Sequence, residues 1–202
     1  MSMSKEIHIV TYPRCGSVYL FKLFSESFKK PVYKKHLNST ADIDPTCIKN
    51  DEYYNDANSE SFKKNNYVIT ILRDPLDSIS SISSMENFYN KDISIDSNIK
   101  QHIDYYIFSL KEISKFADLT LNFNDINIHR YDILEYISKE TNNQIIDKDY
   151  NPQIVDFPED KFLKSSKITE SYEHIKEKVR NSDLTACYEI YNKLINDCKK
   201  FK

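Results

Sequence analysis

Gly16 is the one glycine among 202 residues. The chain sets it in TYPRCGSVYLF, with a fixed cation, Arg14, shortly before it and a hydroxyl, Ser17, directly after it. Glycine permits a tight turn and lets a ligand come close to the main chain. If a helix begins there, its first N–H groups precede the helical ladder and its positive end faces the loop. Arg14, the Ser17 hydroxyl and the N–H groups of Gly16, Ser17 and Val18 then make a cradle for a phosphate or sulfate. Cys15 fills the remaining loop position. The triphosphate form of this cradle, GxxxxGK[ST], is not matched, since its first glycine and its GK[ST] ending are both missing.

Two further groups of residues carry chemistry. In RDPLDSISS, Arg73 closes an apolar run and Ser81 follows two helical turns later. Taken alone, Arg73 reads as a helix-end cation paired with Asp74 or Asp77, an exposed arrangement worth little energetically, and Ser81 as a serine flank beside an apolar helical stripe. Proton transfer near neutral pH calls for a histidine. His8 falls in a strand, and His102, His129 and His174 fall in predicted helices or at their starts. His36, in PVYKKHLNS after a short β-rich run, is the exception.

These residues must be positioned by strands and helices. Ile7 to Thr11 reads as a buried strand, and Ser17 to Phe28 carries Leu20, Leu23, Phe24 and Phe28 at helical spacing. YVITIL, Tyr67 to Leu72, is a second strand, after which Asp74 can cap a helix and Pro75 fits its first turn. Leu119 to Phe123 is a third, followed by a helix near Ile128 to Thr141. Three βα units predict a parallel sheet covered on both faces, with ligands bound at the carboxyl ends of the strands, where loops 12–17 and 73–75 lie. The polar stretch 38–66 is a candidate lid. Helical spacing over 168–201, with Asp183 as a cap between two helices, predicts that the C-terminus closes the fold.

Composition narrows the classes. A 40% hydrophobic content suffices for one domain with a real core, and a net charge of −3 with pI near 6.0 exerts no global pull on nucleic acid or anionic membrane. Lys22, Lys29, Lys30, Lys34 and Lys35 are a local basic cluster that could equally be a solvated face. No apolar run reaches the roughly 20 residues of a membrane span, and MSMSKE has no apolar signal core, so a cytoplasmic location is expected. Cys15, Cys47, Cys187 and Cys198 lack metal-site spacing.

TYPRCGSVYL resembles the 5′-phosphosulfate loop of sulfotransferases, YPKSGTTWL or PRSGSTWL, which binds 3′-phosphoadenosine 5′-phosphosulfate (PAPS). RDPLDSISS resembles the 3′-phosphate motif of the same family, whose arginine and serine fall on Arg73 and Ser81. LNFNDINIHRYDILEYI is similar to the YEDL segment, in which a strand ends in an aromatic beside the adenine, here Phe123. All three occur in family order. VYKKHL resembles the KTHLP segment, which implies His36 as catalytic base and Lys34 as an aid to the leaving group, although Lys35 replaces the threonine and the proline is missing. Some branches use a glutamate base, which would leave Glu26 or Glu52. The C-terminal RKGxxGxW clamp has no glycine counterpart; in FLKSSKITESY, Lys164 and Lys167 could supply its charge and Ser165 or Ser166 its small residue.

The resemblance implies a single three-layer, P-loop-NTPase-like α/β domain with a short central parallel sheet, closed by C-terminal helices. It implies sulfuryl transfer from PAPS, leaving PAP, with no metal and no nucleic-acid partner, to a small-molecule, glycan or peptide acceptor. The alternatives are a module that binds PAP or PAPS without catalysis and an atypical P-loop small-molecule kinase.

Overall fold

The computed structural model describes residues 4–36, 59–90, 92–152 and 166–201, with side chains given except at 35–36 and 166–171. In chain order the elements are β1 (Glu6–Thr11), α1 (Ser17–Ser27), β2 (Val32–His36), α2 (Glu60–Asn65), β3 (Asn66–Leu72), α3 (Pro75–Tyr89), α4 (Ile95–Ile113), β4 (Leu119–Asn122), α5 (Phe123–Ile128), α6 (Arg130–Thr141), α7 (Ser166–Arg180) and α8 (Thr185–Asn196). The strands form one parallel sheet in the order β2-β1-β3-β4.

Three departures from the sequence reading have local causes. The run at 32–36 is a fourth strand, β2, paired outside β1 with Thr11 opposite His36. The stretch 38–66 read as a candidate lid with short helices loses its last residue, Asn66, to β3, while the short helix α2, capped by Ser59 accepting from the Phe62 N–H, falls within it; residues 37–58 lie outside the described residues. The strand expected to end at Phe123 stops at Asn122, whose side chain accepts the Asn124 N–H and starts α5, and the single helix expected from 128 is divided at His129 into α5 and α6.

The chain leaves β1 toward β2 on one side and returns to β3 on the other, so the crevice at the carboxyl ends of β1 and β3 is a topological switch point. Alternation within the strands covers both faces. Ile7, Ile9, Tyr67, Ile69 and Ile71 join Leu20, Leu23 and Phe24 of α1 and Ile133, Leu134 and Ile137 of α6 in one cluster. Val10 and Val68 join Ile113 and Phe116 in another, with Phe62 of α2 packed against it. Each fully buried aliphatic contributes about 1.5–3 kcal/mol, so the sheet is anchored well before the site is built. The C-terminal helices complete the same core through Ile175, Val179, Leu184 and Cys187. Among the described residues, no helix is long and apolar enough to cross a membrane and no acidic, histidine or cysteine cluster is arranged to hold a metal ion.

A polar chain runs through the buried contact between β1, α3 and α4. The Tyr12 hydroxyl lies 3.2 Å from His102 Nδ1, His102 Nε2 lies 2.8 Å from Glu86 Oε2, and Asn98 Nδ2 donates to the same oxygen at 2.8 Å. Burial pushes the Glu86 carboxyl up, but the hydrogen bonds and charge of His102 together with Asn98 outweigh it and hold the group below its ordinary value. A carboxyl depressed on folding adds stability that is fully present above its unfolded pKa of 4.5 and is lost as pH falls through the lower folded value. Glu86→Gln should therefore flatten the acid side of the stability profile. Denaturant midpoints taken from neutral pH down through the carboxylate range test this, and an acid limb as steep as that of the parent would refute it.

Candidate anion site at the sheet edge

The loop after β1 is held in a conformation few sequences tolerate. Gly16 has φ 84° and ψ 12° and stands as the N-cap of α1, while Arg14 has φ 63°, a left-handed backbone that costs a residue bearing a β-carbon about 1–2 kcal/mol. The first helical bond is Leu20 N–H to Gly16 O at 3.1 Å, so the preceding N–H groups of α1 point into the loop. No acidic residue occupies the first turn of α1 and no side chain caps it. The contrast with α3 is direct: the Asp74 carboxylate accepts the Leu76 N–H at 2.9 Å and the Asp77 N–H at 3.3 Å, neutralising that helix end from within the chain. The positive end offered to an external anion is that of α1.

Residues from three strand ends meet over this loop. Arg73, directly after β3, donates through Nη1 to the Arg14 carbonyl at 2.7 Å, and its guanidinium carbon lies 4.8 Å from the centroid of the Phe123 ring. That ring, at the start of α5, lies against Gly16 so closely that a β-carbon there would stand 2.7 and 2.8 Å from two ring atoms. Arg14 reaches α3, where its Nε–H donates to Ser81 Oγ at 3.1 Å. The reading of Arg73 as a partner of Asp74 or Asp77 does not hold. Asp74 caps α3 and accepts from the Tyr188 hydroxyl at 3.3 Å, and Asp77 bonds Lys176 Nζ at 2.7 Å.

The loops are braced from behind by α4. Tyr106 donates its hydroxyl to the Arg73 carbonyl at 2.8 Å and meets Tyr12 edge to face at 5.1 Å, so one helix supports the ends of both β1 and β3. Cys15 is buried, with its thiol near the Pro13 carbonyl and Ser78 Oγ, and burial pushes its pKa up to about 11. It fills the loop and can offer a ligand only main chain. Ser17 is buried beneath the cradle and Val18 is exposed at its mouth.

The remaining sequence candidates separate. His36 ends β2 in register with Thr11, at the same sheet edge as the loop, and Lys34 is paired with Ile9 one pleat back. Glu26 is exposed near the far end of α1, about 1.5 Å per residue away from the loop over most of the helix, and is removed as a catalytic base by that distance. Glu52, Lys164 and Ser165 lie outside the described residues. Ser166 and Lys167 lie on α7 by their main chain only. Sequence reasoning missed Tyr19, whose hydroxyl bonds Asn127 at 3.2 Å and Asn151 at 3.0 Å beside the cradle, and it missed Tyr106 altogether. The signal for Tyr19 was its place in the first turn of a helix that opens on the loop after β1; Tyr106 had none.

Gly16→Ala meets two penalties, about 1–2 kcal/mol for the left-handed backbone and about 1–3 kcal/mol for overpacking against the Phe123 ring. Removing the ring should cancel the second. In chemical denaturation, Gly16→Ala is expected to cost less in a Phe123→Ala background than in the parent, and equal costs in both would show that the ring does not set the constraint.

No protein-family model and no curated protein matches this chain. Among solved structures, the sulfotransferase of Alicyclobacillus acidocaldarius aligns with 91% of this chain and 98% of its own at 12% identity and a TM-score of 0.38. Mouse sulfotransferase SULT7A1, crystallised with PAP, is similar over 93% of this chain and 89% of its own, at 13% identity and a TM-score of 0.52. The parallel sheet in the order β2-β1-β3-β4, flanked by helices, is thus the α/β fold of a sulfotransferase.

Proposed function

We propose that this chain is a PAPS-dependent sulfotransferase, a single cytoplasmic domain that moves a sulfuryl group to a hydroxyl or amine of a small-molecule, glycan or peptide acceptor. The observation that carries the reading is the meeting of Arg14, Arg73, Ser81, Phe123 and the opening turn of α1 at one switch point, where the hydrogen bonds and ring contact above join three strand ends. The donors suit a nucleotide with two separated anionic groups. The fit is supported by an α1 terminus without a resident carboxylate and by a glycine cradle in which the ring already occupies the space of a β-carbon.

PAPS supplies the sulfuryl group and departs as PAP, whose phosphate oxygen keeps the electron pair of the broken S–O bond. Arg14 and the N–H groups of Gly16, Ser17 and Val18 stabilise the charge that grows on that oxygen, with Lys34 assisting. His36 takes the proton from the acceptor as the new S–O or S–N bond forms. Arg73 and Ser81 hold the 3′-phosphate, and Phe123 keeps Arg73 in place while giving the adenine an aromatic neighbour. From the sequence, Lys164 and Lys167 are the candidates for the charge of the family's C-terminal clamp. Holding donor and acceptor in line supplies the rest of the rate, as in phosphoryl transfer.

Calorimetric titration of the purified protein with PAP, AMP, ADP and ATP, with and without magnesium, tests the reading without any acceptor. Metal-independent binding of PAP at about micromolar Kd or tighter, with AMP much weaker, is expected. A preference for ATP with magnesium would make the chain a kinase, and PAP binding without transfer to any acceptor would leave a binding module. Arg73→Ala should weaken PAP far more than AMP, and equal weakening of the two would remove Arg73 from the 3′-phosphate. His36→Ala should abolish transfer in a radiolabelled-sulfate assay while PAP binding persists; retained turnover would place the base elsewhere.

A further inference from the structure

On the sulfotransferase reading the nucleotide's base lies beside Phe123, and none of the residues assigned so far distinguishes one base from another. Phe123 and Asn127 stand one turn apart on α5 and so share a face. The Phe123 ring lies against Gly16, while Asn127 Oδ1 accepts from the hydroxyl of Tyr19, in the first turn of α1, at 3.2 Å. α5 therefore runs beside the opening turn of α1, with an aromatic ring and then an exposed carboxamide along that face.

The Tyr19 hydroxyl also faces Asn151 Oδ1, at 3.0 Å. Its single proton cannot satisfy two oxygens at once, so the more distant one, Asn127 Oδ1, keeps room for an outside donor. Among the described residues Asn127 Nδ2 has no partner, and the side chain is exposed. Burial pushes the Tyr19 pKa up against the charge and hydrogen bond of Arg130, so the hydroxyl keeps its proton and serves as a donor. That bond turns the carbonyl end of Asn127 toward Tyr19 and opposes a reversal of the carboxamide.

A carbonyl and an N–H presented side by side in a fixed order match an edge with a donor beside an acceptor. Adenine has such an edge, its N6 amine beside a ring nitrogen, and asparagine pairs with it bidentately. Guanine presents two acceptors, O6 and N7, on one edge, and on the other requires the carboxamide reversed. We infer that Asn127 reads the base of the bound nucleotide and selects adenine over guanine, with Tyr19 as the positioning residue that fixes its carboxamide. The class of ligand rests on the sulfotransferase reading; the choice of Asn127 over Asn151 rests on the face it shares with Phe123.

The test measures affinities by calorimetry for two matched pairs, PAP with guanosine 3′,5′-bisphosphate and AMP with GMP. The parent chain should prefer adenine about five- to a hundredfold in each pair, the range for a bidentate carboxamide–base contact. Asn127→Ala should bring both ratios close to unity. Tyr19→Phe frees the carboxamide to reverse and should narrow both ratios, chiefly by tightening the guanine nucleotides. Asn151→Ala gives the Tyr19 proton wholly to Asn127 and should keep the adenine preference.

Equal affinity for adenine and guanine nucleotides in the parent overturns the inference, as does a preference that survives Asn127→Ala or stands unchanged in Tyr19→Phe. A preference lost in Asn151→Ala would give the role to that residue and overturn it too. Should Asn127→Ala not fold, as judged by thermal melting, Asn127→Asp, which keeps an acceptor and loses the N–H, decides by the same ratios. PAP bound no better than AMP would defeat the sulfotransferase reading alone, because the AMP and GMP pair still decides for or against Asn127. A chain that binds none of the four nucleotides overturns both.

Discussion

The structure turns on one close contact, the Phe123 ring against the main chain of Gly16. A β-carbon at that position would overlap the ring by far more than side chains tolerate, and the backbone there is left-handed. Because the ring can come that near, the start of α5 reaches the loop after β1, and the guanidinium of Arg73 can lie on the ring while bonding the loop's carbonyl. Remove the contact and three strand ends lose their common point. A chain that uses a single glycine has put it where one hydrogen in place of a methyl group decides the tertiary arrangement.

Behind this contact the support is polar as well as apolar. Tyr106 holds the Arg73 carbonyl, Tyr12 packs on Tyr106, and the Tyr12 hydroxyl is joined through His102 to Glu86 and Asn98. Buried polar groups are costly unless paired, so this chain fixes the register of α3 and α4 against β1 more sharply than aliphatic packing alone could. The site is correspondingly rigid at its back. Its front is tied to the C-terminal helices through Tyr188 on Asp74 and Lys176 on Asp77. Both acidic residues sit on the turn that leads out of Arg73, which couples the position of that arginine to the docking of α7 and α8.

Among the described residues, two neighbouring helix ends at the site differ in charge. The end of α3 is satisfied by Asp74, whereas the end of α1 has no side-chain cap and no acidic residue in its first turn, although both helices start at the same sheet edge. With net charge −3 the molecule offers no general attraction to polyanions, and the arginines beside the start of α1 are a local concentration of positive charge.

The sequence by itself determined the local parts. Apolar runs specified β1, β3 and β4 as strands buried in a parallel sheet. The Asp74–Pro75 pair specified where α3 begins, and the glycine with its neighbouring cation and hydroxyl marked the loop. These features depend on contacts within a few residues and on burial patterns that a one-dimensional reading captures. The tertiary structure alone decided the rest. The short β-rich run before His36 was too short and too rich in lysine to be placed in the sheet from sequence, and it became a strand because the open edge of β1 could hydrogen-bond it. Phe123 moved from strand end to helix start because the Asn122 side chain caps α5. Tyr106, His102 and Lys176 acquired roles through partners far away in the chain, and Arg14 found Ser81 in the same way. No periodicity encodes such pairings, since they exist only once the sheet has brought separate helices to one edge.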